Sequence, residues 1–405
     1  MKQYDVIIIG GGAAGFFAAI NLADRNPKLK ICILERGSNV LTKVKVSGGG
    51  RCNVTHAQFD PKELTYNYPR GQKELLGPFN KFMTGDTVQW FEERGVDLKI
   101  EEDGRMFPKS NSSQTIIDCF QKEVTRHKIE ILINRSVIDL TTKEGKWLVK
   151  TKDNIYVSEK VLVATGSSKK IWNILKEIGH TIVQPVPSLF TFNIDDERIK
   201  DIPGVVAENV RIKIVDSQLE SQGPLLITHW GMSAPAILKL SAFGALELSK
   251  RDYKFKIEVN FVSLSQSEVM NVLKDAKERF SKKSVYNVQQ FELPKRLWRK
   301  LATASNIDER NRWADLNKNQ LINLSNQLTK AVFQVNGKST FKEEFVTAGG
   351  IDLKEINFKT FESKLHKNIF FAGEVLNIDA VTGGFNFQNA WTGAFIAAES
   401  IANFK

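Results

Sequence analysis

The sequence predicts a mixed α/β fold in which one main domain is built from both ends of the chain. At the N-terminus, the apolar run at residues 6–9 is bounded by glycine, which is typical of a strand buried on both faces. A helix follows directly, and a similar strand, glycine and helix pattern returns after residue 346. Between the two ends, the chain alternates apolar and polar residues and then becomes helical and basic. We therefore expect an α/β domain interrupted by a β-rich subdomain and a small helical one.

The N-terminal segment has the spacing of a dinucleotide-binding βαβ unit. Gly10, Gly12 and Gly15 form G-x-G-x-x-G, which permits a tight turn, close approach to a pyrophosphate and close helix packing. Residues 13–23 predict a helix whose N-terminal amides and dipole face phosphate. The next strand, residues 30–34, delivers Glu35 at the distance where an acid binds a ribose diol. The glycines alone are weak evidence for a dinucleotide site. Because the strand, the helix and Glu35 all occur at the expected spacing from the glycines, the sequence favours a Rossmann-like domain over an unrelated glycine-rich turn.

A second set of signatures indicates that the dinucleotide is FAD. An apolar strand at residues 160–163 runs into Ala164-Thr165-Gly166, an element that passes close to the cofactor in FAD domains. Another strand, residues 368–372, runs into Gly373-Glu374, and Gly383-Gly384 precedes a helix predicted at residues 389–404. Glycine-rich motifs at both ends of the chain predict that the two ends fold around one long cofactor.

Composition excludes several classes of protein. At 405 residues, with 42% apolar and 25% charged residues, the chain has ample material for the core of two or three domains. No run approaches about 18 uninterrupted apolar residues, so we expect no membrane span. Cys32, Cys52 and Cys119 are scattered and form no C-x-x-C, which excludes a redox-active dithiol, and no metal-ligand spacing occurs. We expect a reducing, cytoplasmic compartment and no metal.

The net charge of +11 is unevenly distributed along the chain. Residues 265–330 carry 13 Lys or Arg against 7 Asp or Glu, and residues 295–300 (KRLWRK) are the densest part. A helix contacting nucleic-acid phosphates is one interpretation. The favoured one is a solvated helical face with Leu297, Trp298 and Leu301 turned inward, because acids interrupt the basic residues. Steering of an anionic substrate or of NADPH toward a cleft is a third.

The pattern along the chain sets the expected domain boundaries. Residues 210–214 and 254–261 alternate apolar and polar side chains, as antiparallel strands with one solvated face do. The helical, basic segment begins at residue 265, and the α/β pattern resumes at residue 346. We predict a FAD domain at 1–188 and 346–405, a β-rich insertion at 189–264, a helical insertion at 265–330, and a return to the β subdomain at 331–345.

Several sequence blocks resemble a bacterial flavoprotein family. The block at residues 47–55 (SGGGRCNVT) is the most specific, together with residues 371–376 and 382–386. Blocks at residues 104–108, 228–237 and 346–352 match in the same order. The family includes aminoacetone-oxidase-like and 3-dehydro-bile-acid Δ4,6-reductase-like (YhiN-like) enzymes. The resemblance implies a glutathione-reductase-like FAD domain interrupted by a β-barrel-like subdomain and a small helical domain.

The resemblance also implies cofactor contacts along the chain. Ala14 and Glu35 would meet pyrophosphate and ribose, and Val137, expected before the turn of a strand pair 131–133/137–140, would hold adenine through its backbone. Glu374 stands where many flavoproteins use aspartate for the ribityl hydroxyls, and the last helix would direct its positive end at the flavin. The predicted cofactor-binding residues are Gly10, Gly12, Ala13, Ala14, Gly15, Glu35, Arg36, Gly50, Arg51, Cys52, Asn53, Val137, Ala164, Thr165, Gly166, Gly373, Glu374, Gly384, Asn386 and Phe387.

Catalytic candidates are fewer, because flavin carries the redox chemistry. Cys52 could act as an acid or form an adduct, although a buried residue holding the glycine loop is the stronger alternative. His229 could donate a proton to a carbonyl or enone, or be structural. Arg51 could bind a substrate carboxylate or the flavin, with a cofactor or loop-anchoring role favoured, and Arg105 could do the same from a hairpin tip. The chain departs from the family at Ala234, where glycine is common, and after residue 166, where a helix replaces a longer loop.

These observations predict an FAD-dependent oxidoreductase with a small-molecule substrate. No second G-x-G-x-x-G occurs, so NAD(P)H would visit the flavin transiently rather than occupy its own domain. The first hypothesis is NAD(P)H-linked reduction of an unsaturated ketone. The second is oxidation of a small amine or aminoketone by O₂, and the third, disfavoured, is a flavin-containing protein that binds or modifies RNA. The oligomeric state is left unassigned.

Overall fold

The computed structural model describes residues 1–339 and 346–403. It divides into two compact units, each with its own hydrophobic core. Unit 1 comprises Met1–Val186 and Val346–Lys405, so the two ends of the chain fall in the same unit, and unit 2 comprises Pro187–Phe345. Within the described ranges, no helix combines the length and apolar character that a bilayer crossing requires.

The first part of the chain forms ten strands and seven helices. In chain order they are β1 (Lys2–Ile9), α1 (Ala13–Arg25), β2 (Ile31–Leu34), α2 (Thr42–Gly50), β3 (Thr55–His56), α3 (Pro61–Thr65), α4 (Gln72–Phe79), α5 (Thr84–Glu92), β4 (Leu98–Ile100), β5 (Arg105–Pro108), α6 (Ser113–Arg126), β6 (Glu130–Leu132), β7 (Val137–Lys143), β8 (Lys146–Thr151), β9 (Ile155–Val163), α7 (Lys169–Glu177) and β10 (Ile182–Ser188).

The remaining described strands and α-helices belong first to unit 2 and then to the C-terminal part of unit 1. Those of unit 2 are β11 (Thr191–Asn193), β12 (Val206–Ile214), β13 (Glu220–Thr228), β14 (Gly231–Ser233), α8 (Pro235–Phe243), α9 (Ala245–Lys250), β15 (Lys254–Asn260), α10 (Gln266–Arg279), α11 (Lys295–Thr303), α12 (Lys318–Thr329), β16 (Ala331–Asn336) and β17 (Lys338–Ser339). Those that follow are β18 (Val346–Ile351), β19 (Ile356–Asn357), β20 (Glu362–Ser363), β21 (Ile369–Phe371) and α13 (Phe385–Asn403).

The main sheet of unit 1 places the N-terminal strand at its centre. β1 pairs in parallel with β2 on one side and β9 on the other, with Ile7 opposite Cys32 and Val161. β21, from the C-terminal part of the chain, joins in parallel beyond β9. Because β1 is covered on both faces, Ile7 and Ile8 are fully buried, as the continuous apolar run predicts. The structure confirms the Rossmann-like fold class, and the carboxyl ends of β1, β2, β9 and β21 share one edge.

Helices α1 and α13 pack together on this sheet. Their contact includes the rings of Phe17 and Trp391, whose centroids are 5.1 Å apart. α13 begins at Phe385, four residues before the predicted start at residue 389, because Gly384 has a positive φ of +94° and its carbonyl accepts from Gln388 N. Residue 404, the predicted end of this helix, lies outside the described residues.

Unit 2 is built on a seven-stranded sheet whose pairings are antiparallel. The strand order is β16-β15-β12-β13-β14-β11-β17, and helices α10 to α12 lie between β15 and β16 in the chain. In β12 the buried Val210, Ile212 and Ile214 alternate with exposed Arg211 and Lys213, as the sequence pattern predicts. β16 and β17 return to the sheet within the predicted segment 331–345, of which residues 340–345 lie outside the described residues.

Candidate cofactor and active site

The three fingerprint glycines have different surroundings at the start of α1. A Cβ on Gly15 would lie 2.0 Å from the Gly10 carbonyl oxygen, and one on Gly10, where φ is +113°, would lie 2.4 Å from Ala164 O. A Cβ on Gly12, the N-cap, would meet no atom within 4 Å, and no side chain caps the helix there. Gly10 and Gly15 therefore allow α1 to pack on the sheet, while Gly12 keeps the positive end of α1 open to an anion.

Glu35 is held at the end of β2 by two backbone donors. Its Oε2 accepts from Gly11 N at 2.8 Å and its Oε1 from Gly37 N at 2.7 Å. The carboxylate therefore stands beside the glycine turn with lone pairs remaining for a ribose diol. A cleft opens beside Glu35, and five of the residues that line it are predicted cofactor residues: Gly10, Glu35, Arg36, Val137 and Thr165. The other lining residues are Ile9, Leu34, Arg135, Ser136, Ser168, Lys170 and Ile171.

The prediction for the strands around Val137 is wrong, although Val137 lines the cleft. β7, which begins at Val137, pairs antiparallel with β8 and not with residues 131–133. β6 instead extends the parallel sheet beyond β2, with Ile131 opposite Ile33. Arg135 N then donates to Glu35 O at 2.8 Å, so the chain crosses the end of β2 before β7 begins. This crossing brings Val137 to the cleft.

The middle of the site is formed by segments that are far apart in sequence. A Cβ on Gly373 would lie 3.5 Å from the Ala14 Cβ, and one on Gly166 would lie 3.6 Å from Glu374 Oε2. The structure thus brings Gly373 next to Ala14 and Gly166 next to Glu374, and all four are predicted cofactor residues. Glu374, proposed as the ribityl contact, forms an ion pair with Lys43 at 2.6 Å.

The glycine loop at the C-terminal end of α2, where the backbone leaves the helical conformation, provides a second open stretch of backbone. Gly48, Gly49 and Gly50 have φ values of +56°, +67° and +84°, which side chains rarely adopt. A Cβ on Gly49 or Gly50 would meet no atom within 4 Å. Cys52 follows with its side chain fully buried, and burial raises the pKa of its thiol to about 12. The protonated, buried thiol favours the packing role of Cys52 over a chemical one.

Asn53 ties the glycine loop to the C-terminal motif. In the orientation that satisfies its neighbours, the carboxamide accepts from Gly384 N and donates to Thr55 O, each at 3.0 Å. Asn386 holds the same region from the other side, because its Oδ1 accepts from Ala380 N at 3.1 Å and its Nδ2 donates to Ala380 O at 3.3 Å. The position and direction of the start of α13 are therefore fixed by two asparagines.

The aromatic and basic residues near these motifs have structural partners. Phe387 stacks on Trp391, with ring centroids 5.4 Å apart and planes 9° apart. Arg51 pairs with Glu101 at 2.6 Å and lies 4.0 Å from the ring of Phe107. Arg105 pairs with Asp103 at 2.7 Å. These contacts favour loop anchoring over substrate binding for both arginines.

His56 is a functional candidate that sequence reasoning missed. Its ring stacks on Phe385 at 4.5 Å, and its Nδ1 is 3.1 Å from Gly383 O. Burial lowers the pKa of His56, so the imidazole is neutral at pH 7, and Nδ1 must donate because a carbonyl only accepts. His56 therefore positions the Gly383–Gly384 turn. The sequence feature that could have pointed to His56 is its position directly after the block at residues 47–55.

His229 lies in unit 2, at the turn between β13 and β14. It is exposed, and the neighbouring Trp230 is 42% exposed with its ring centroid 6.4 Å from that of His229. Ala234, five residues later, has φ +79° and ψ 176°, a conformation that is essentially restricted to glycine. Alanine at position 234, where the family commonly has glycine, therefore leaves the backbone strained at the start of α8.

The residues of unit 1 fit FAD. The uncapped start of α1 and the open faces of Gly12, Gly49 and Gly50 form a cradle that a Cβ would fill. In α13 the residue Asn389 is 1% exposed, and neither the oxygen nor the nitrogen of its carboxamide has a partner in the part of the chain that the structure describes. Glu35 and the amides of α1 would hold the adenosine and pyrophosphate, and the Asn53 and α13 region the flavin end.

This fold and site define an FAD-dependent oxidoreductase. The chain belongs to the family described as the HI0933-like protein Rossmann domain, whose family model matches residues 4–400. It is 27% identical to the ribosomal RNA dihydrouridine synthase of Haemophilus influenzae, over 99% of this chain and 100% of that protein. It is 25% identical to the 3-dehydro-bile acid delta(4,6)-reductase of Clostridium scindens, over 98% of both chains.

Two solved structures share the fold at low sequence identity. The open conformation of a flavocytochrome c3 fumarate reductase has a TM-score of 0.51 and 16% identity, covering 99% of this chain and 78% of its own. The 3-ketosteroid-delta4-(5alpha)-dehydrogenase from Rhodococcus jostii RHA1 has a TM-score of 0.53 and 11% identity, covering 100% and 97%. These likenesses support the fold.

Proposed function

We propose that this protein uses FAD to reduce a carbon–carbon double bond conjugated to a carbonyl, with NAD(P)H as the electron donor. One observation carries the proposal: relatives that match this chain over its whole length are named for a bile-acid Δ4,6-reduction and for dihydrouridine synthesis. Steroid enones and uracil differ in size, but both present an alkene next to a carbonyl. The reaction type is therefore what the two names have in common.

The chain's own residues would bind and orient the reactants. The open N-terminus of α1 places backbone amides and a positive dipole end at the pyrophosphate, and Glu35 is fixed for the ribose. Bound FAD supplies hydride transfer. Asn53 and Asn386 fix the start of α13, whose positive end would favour negative charge on the reduced cofactor.

Reduction of a conjugated alkene also requires a proton for the carbon next to the carbonyl. His229 is the proposed donor, because it is exposed and lies in the block at residues 228–237 that resembles the flavoprotein family. Cys52 is less suited, since its thiol is fully buried. The 405 residues hold no second dinucleotide fingerprint, so the nicotinamide would deliver its hydride and leave before the substrate enters.

RNA uridine is a second candidate substrate. Two observations favour it. The net charge of this chain is +11, and the alignment with a relative named as a ribosomal RNA dihydrouridine synthase covers the whole length of that relative. Polyanion binding depends on cations of the protein replacing counterions of the nucleic acid. The chemistry at the alkene is the same for a small enone and for uracil, so the two candidates differ in the substrate that reaches the flavin.

The test is product analysis under nitrogen with the FAD-loaded protein and NADPH. A dienone steroid and a uridine-containing RNA are incubated separately, and mass spectrometry detects the gain of two hydrogens. The proposal expects the gain in at least one substrate and its loss in Glu35→Ala. Hydrogen peroxide formation from amines or aminoketones in air, with neither alkene reduced, would contradict the proposal and identify an oxidase.

A further inference from the structure

Helix α11 has one buried face and, opposite to it, one basic face that is exposed to solvent. Leu297, Trp298 and Leu301 are fully buried, which confirms the inward face that the sequence predicts. Trp298 Nε1 also donates to Val285 O at 2.8 Å, which fixes the rotation of the helix. The opposite face therefore presents its side chains to solvent in one defined direction. It consists of Lys295, Arg296, Arg299, Lys300 and Thr303.

The four cations of α11 have no carboxylate partners among the described residues. Arg296 donates to the backbone oxygen of Asp201 at 3.0 Å, and Arg299 to Asn287 Oδ1 at 3.1 Å, both of which are neutral acceptors. Lys295 and Lys300 form no ion pair within the described ranges. The sequence suggested that interspersed acids would neutralise this segment. The structure shows that those acids do not reach α11, so its positive charge stays available.

A groove of about 430 Å³ runs along this face. On its far side Arg198 is neutralised by Asp196 at 2.6 Å, and Glu197 by Lys200 at 2.7 Å. The uncompensated charge in the groove therefore comes from α11. The residues that line it are Glu197, Arg198, Ile202, Arg296, Arg299, Lys300, Thr303 and Ala304.

We propose that the α11 face, meaning the exposed side of Lys295–Thr303 with this groove, binds the phosphate backbone of RNA. From Arg296 to Thr303 the helix advances by about 10 Å. Cations spread over this length suit a repeating polyanion better than a single phosphate or carboxylate. Arginine and lysine contacts to phosphate bind any sequence, so the face would hold RNA while another part of the protein selects the base. This inference rests on the RNA form of the proposed function.

The test measures binding of the FAD-loaded full chain to a fluorescein-labelled single-stranded RNA of about 20 nucleotides, by fluorescence anisotropy at several salt concentrations. The α11 variant combines four substitutions: Lys295→Gln, Arg296→Gln, Arg299→Gln and Lys300→Gln. A matched control removes the same charge from exposed lysines of unit 1, through Lys122→Gln, Lys143→Gln, Lys150→Gln and Lys152→Gln. FAD content and thermal melting verify that both variants are folded.

Each phosphate contact contributes about 0.7 to the slope of log affinity against log salt on a single strand. The α11 variant is therefore expected to flatten this slope by about 2 to 3 and to weaken binding more than tenfold at low salt, with the control near wild type. Equal losses in both variants, no RNA binding by the wild type, or displacement by polyglutamate at equal charge would each overturn the proposal. The gain of two hydrogens by the dienone steroid and by the RNA is measured in parallel with wild type. If either substrate is reduced, only the α11 face is refuted, and if neither is, the proposed reaction fails.

Discussion

Gly12→Val is expected to give a folded protein that does not hold FAD. The valine side chain would point into the space where a Cβ on Gly12 meets no atom within 4 Å, and the extended backbone there, φ −95° and ψ −166°, suits a β-branched residue. The folded structure thus tolerates the substitution, with a cost of about 1 kcal/mol for the poorer N-cap. The side chain would, however, cover the amides that face the pyrophosphate.

The loss of affinity can be worked from the hydrogen bonds that valine would block. Two charge-assisted bonds, each worth about 1.5–3 kcal/mol, correspond to binding that is roughly 10² to 10⁴ times weaker. The assay is flavin absorbance at about 450 nm per protein after purification, followed by titration with FAD. Full flavin content in Gly12→Val would refute the assignment of this helix end to the cofactor.

Gly15→Ala is the matched comparison, because it changes a glycine of the same fingerprint that packs rather than binds. Its Cβ would lie 2.0 Å from Gly10 O, so α1 would have to move away from β1. We expect destabilisation of about 3 kcal/mol or more in urea unfolding, and loss of flavin only as a consequence. A Gly15→Ala protein as stable as wild type would show that the helix and strand are less closely packed than the structure indicates.

Three further predictions concern stability. Ala234→Gly should raise the free energy of unfolding by about 1 kcal/mol, because it relieves the φ of +79°; urea titration that shows no gain would contradict the strain. Burial lowers the pKa of His180, so below about pH 6.5 the unfolded chain binds a proton at this histidine that the native state does not bind. The melting temperature of the wild type should therefore fall as the pH drops below about 6.5, and this fall should be absent in His180→Gln. Asp379→Ala should cost about 3–5 kcal/mol in urea unfolding by leaving the largely buried Arg70 without its carboxylate, and Asp379→Asn, which keeps a hydrogen-bond acceptor, should cost less.

Local patterns were enough to predict several residues that the structure brings together in the candidate cofactor site. The apolar strand, the glycine spacing and Glu35 are consecutive in the chain, so their geometry follows from a single βαβ unit. The structure places Gly10, Glu35 and Thr165 around one cleft. The resemblance to a family added Val137, which the strand prediction around it could not have justified, because β7 pairs forward with β8.

Residues that depend on tertiary contacts were not predictable in the same way. Arg135 and Lys170 line the cleft only because the chain crosses the end of β2 and because α7 begins close to Gly166. His56 becomes relevant through its contact with Gly383, more than 300 positions later in the chain. Burial of Cys52 could be weighed from the sequence but not decided, since it depends on how the glycine loop folds back.

Anaerobic stopped-flow absorbance tests the central claim most directly. The FAD-loaded protein is mixed with NADH or NADPH, and a conjugated enone is added in a second mix under nitrogen. We predict that the flavin absorbance at about 450 nm bleaches on the timescale of seconds and recovers when the enone is added. No bleaching with either nicotinamide, or bleaching that only O₂ reverses, would contradict an NAD(P)H-fed reductase of conjugated alkenes.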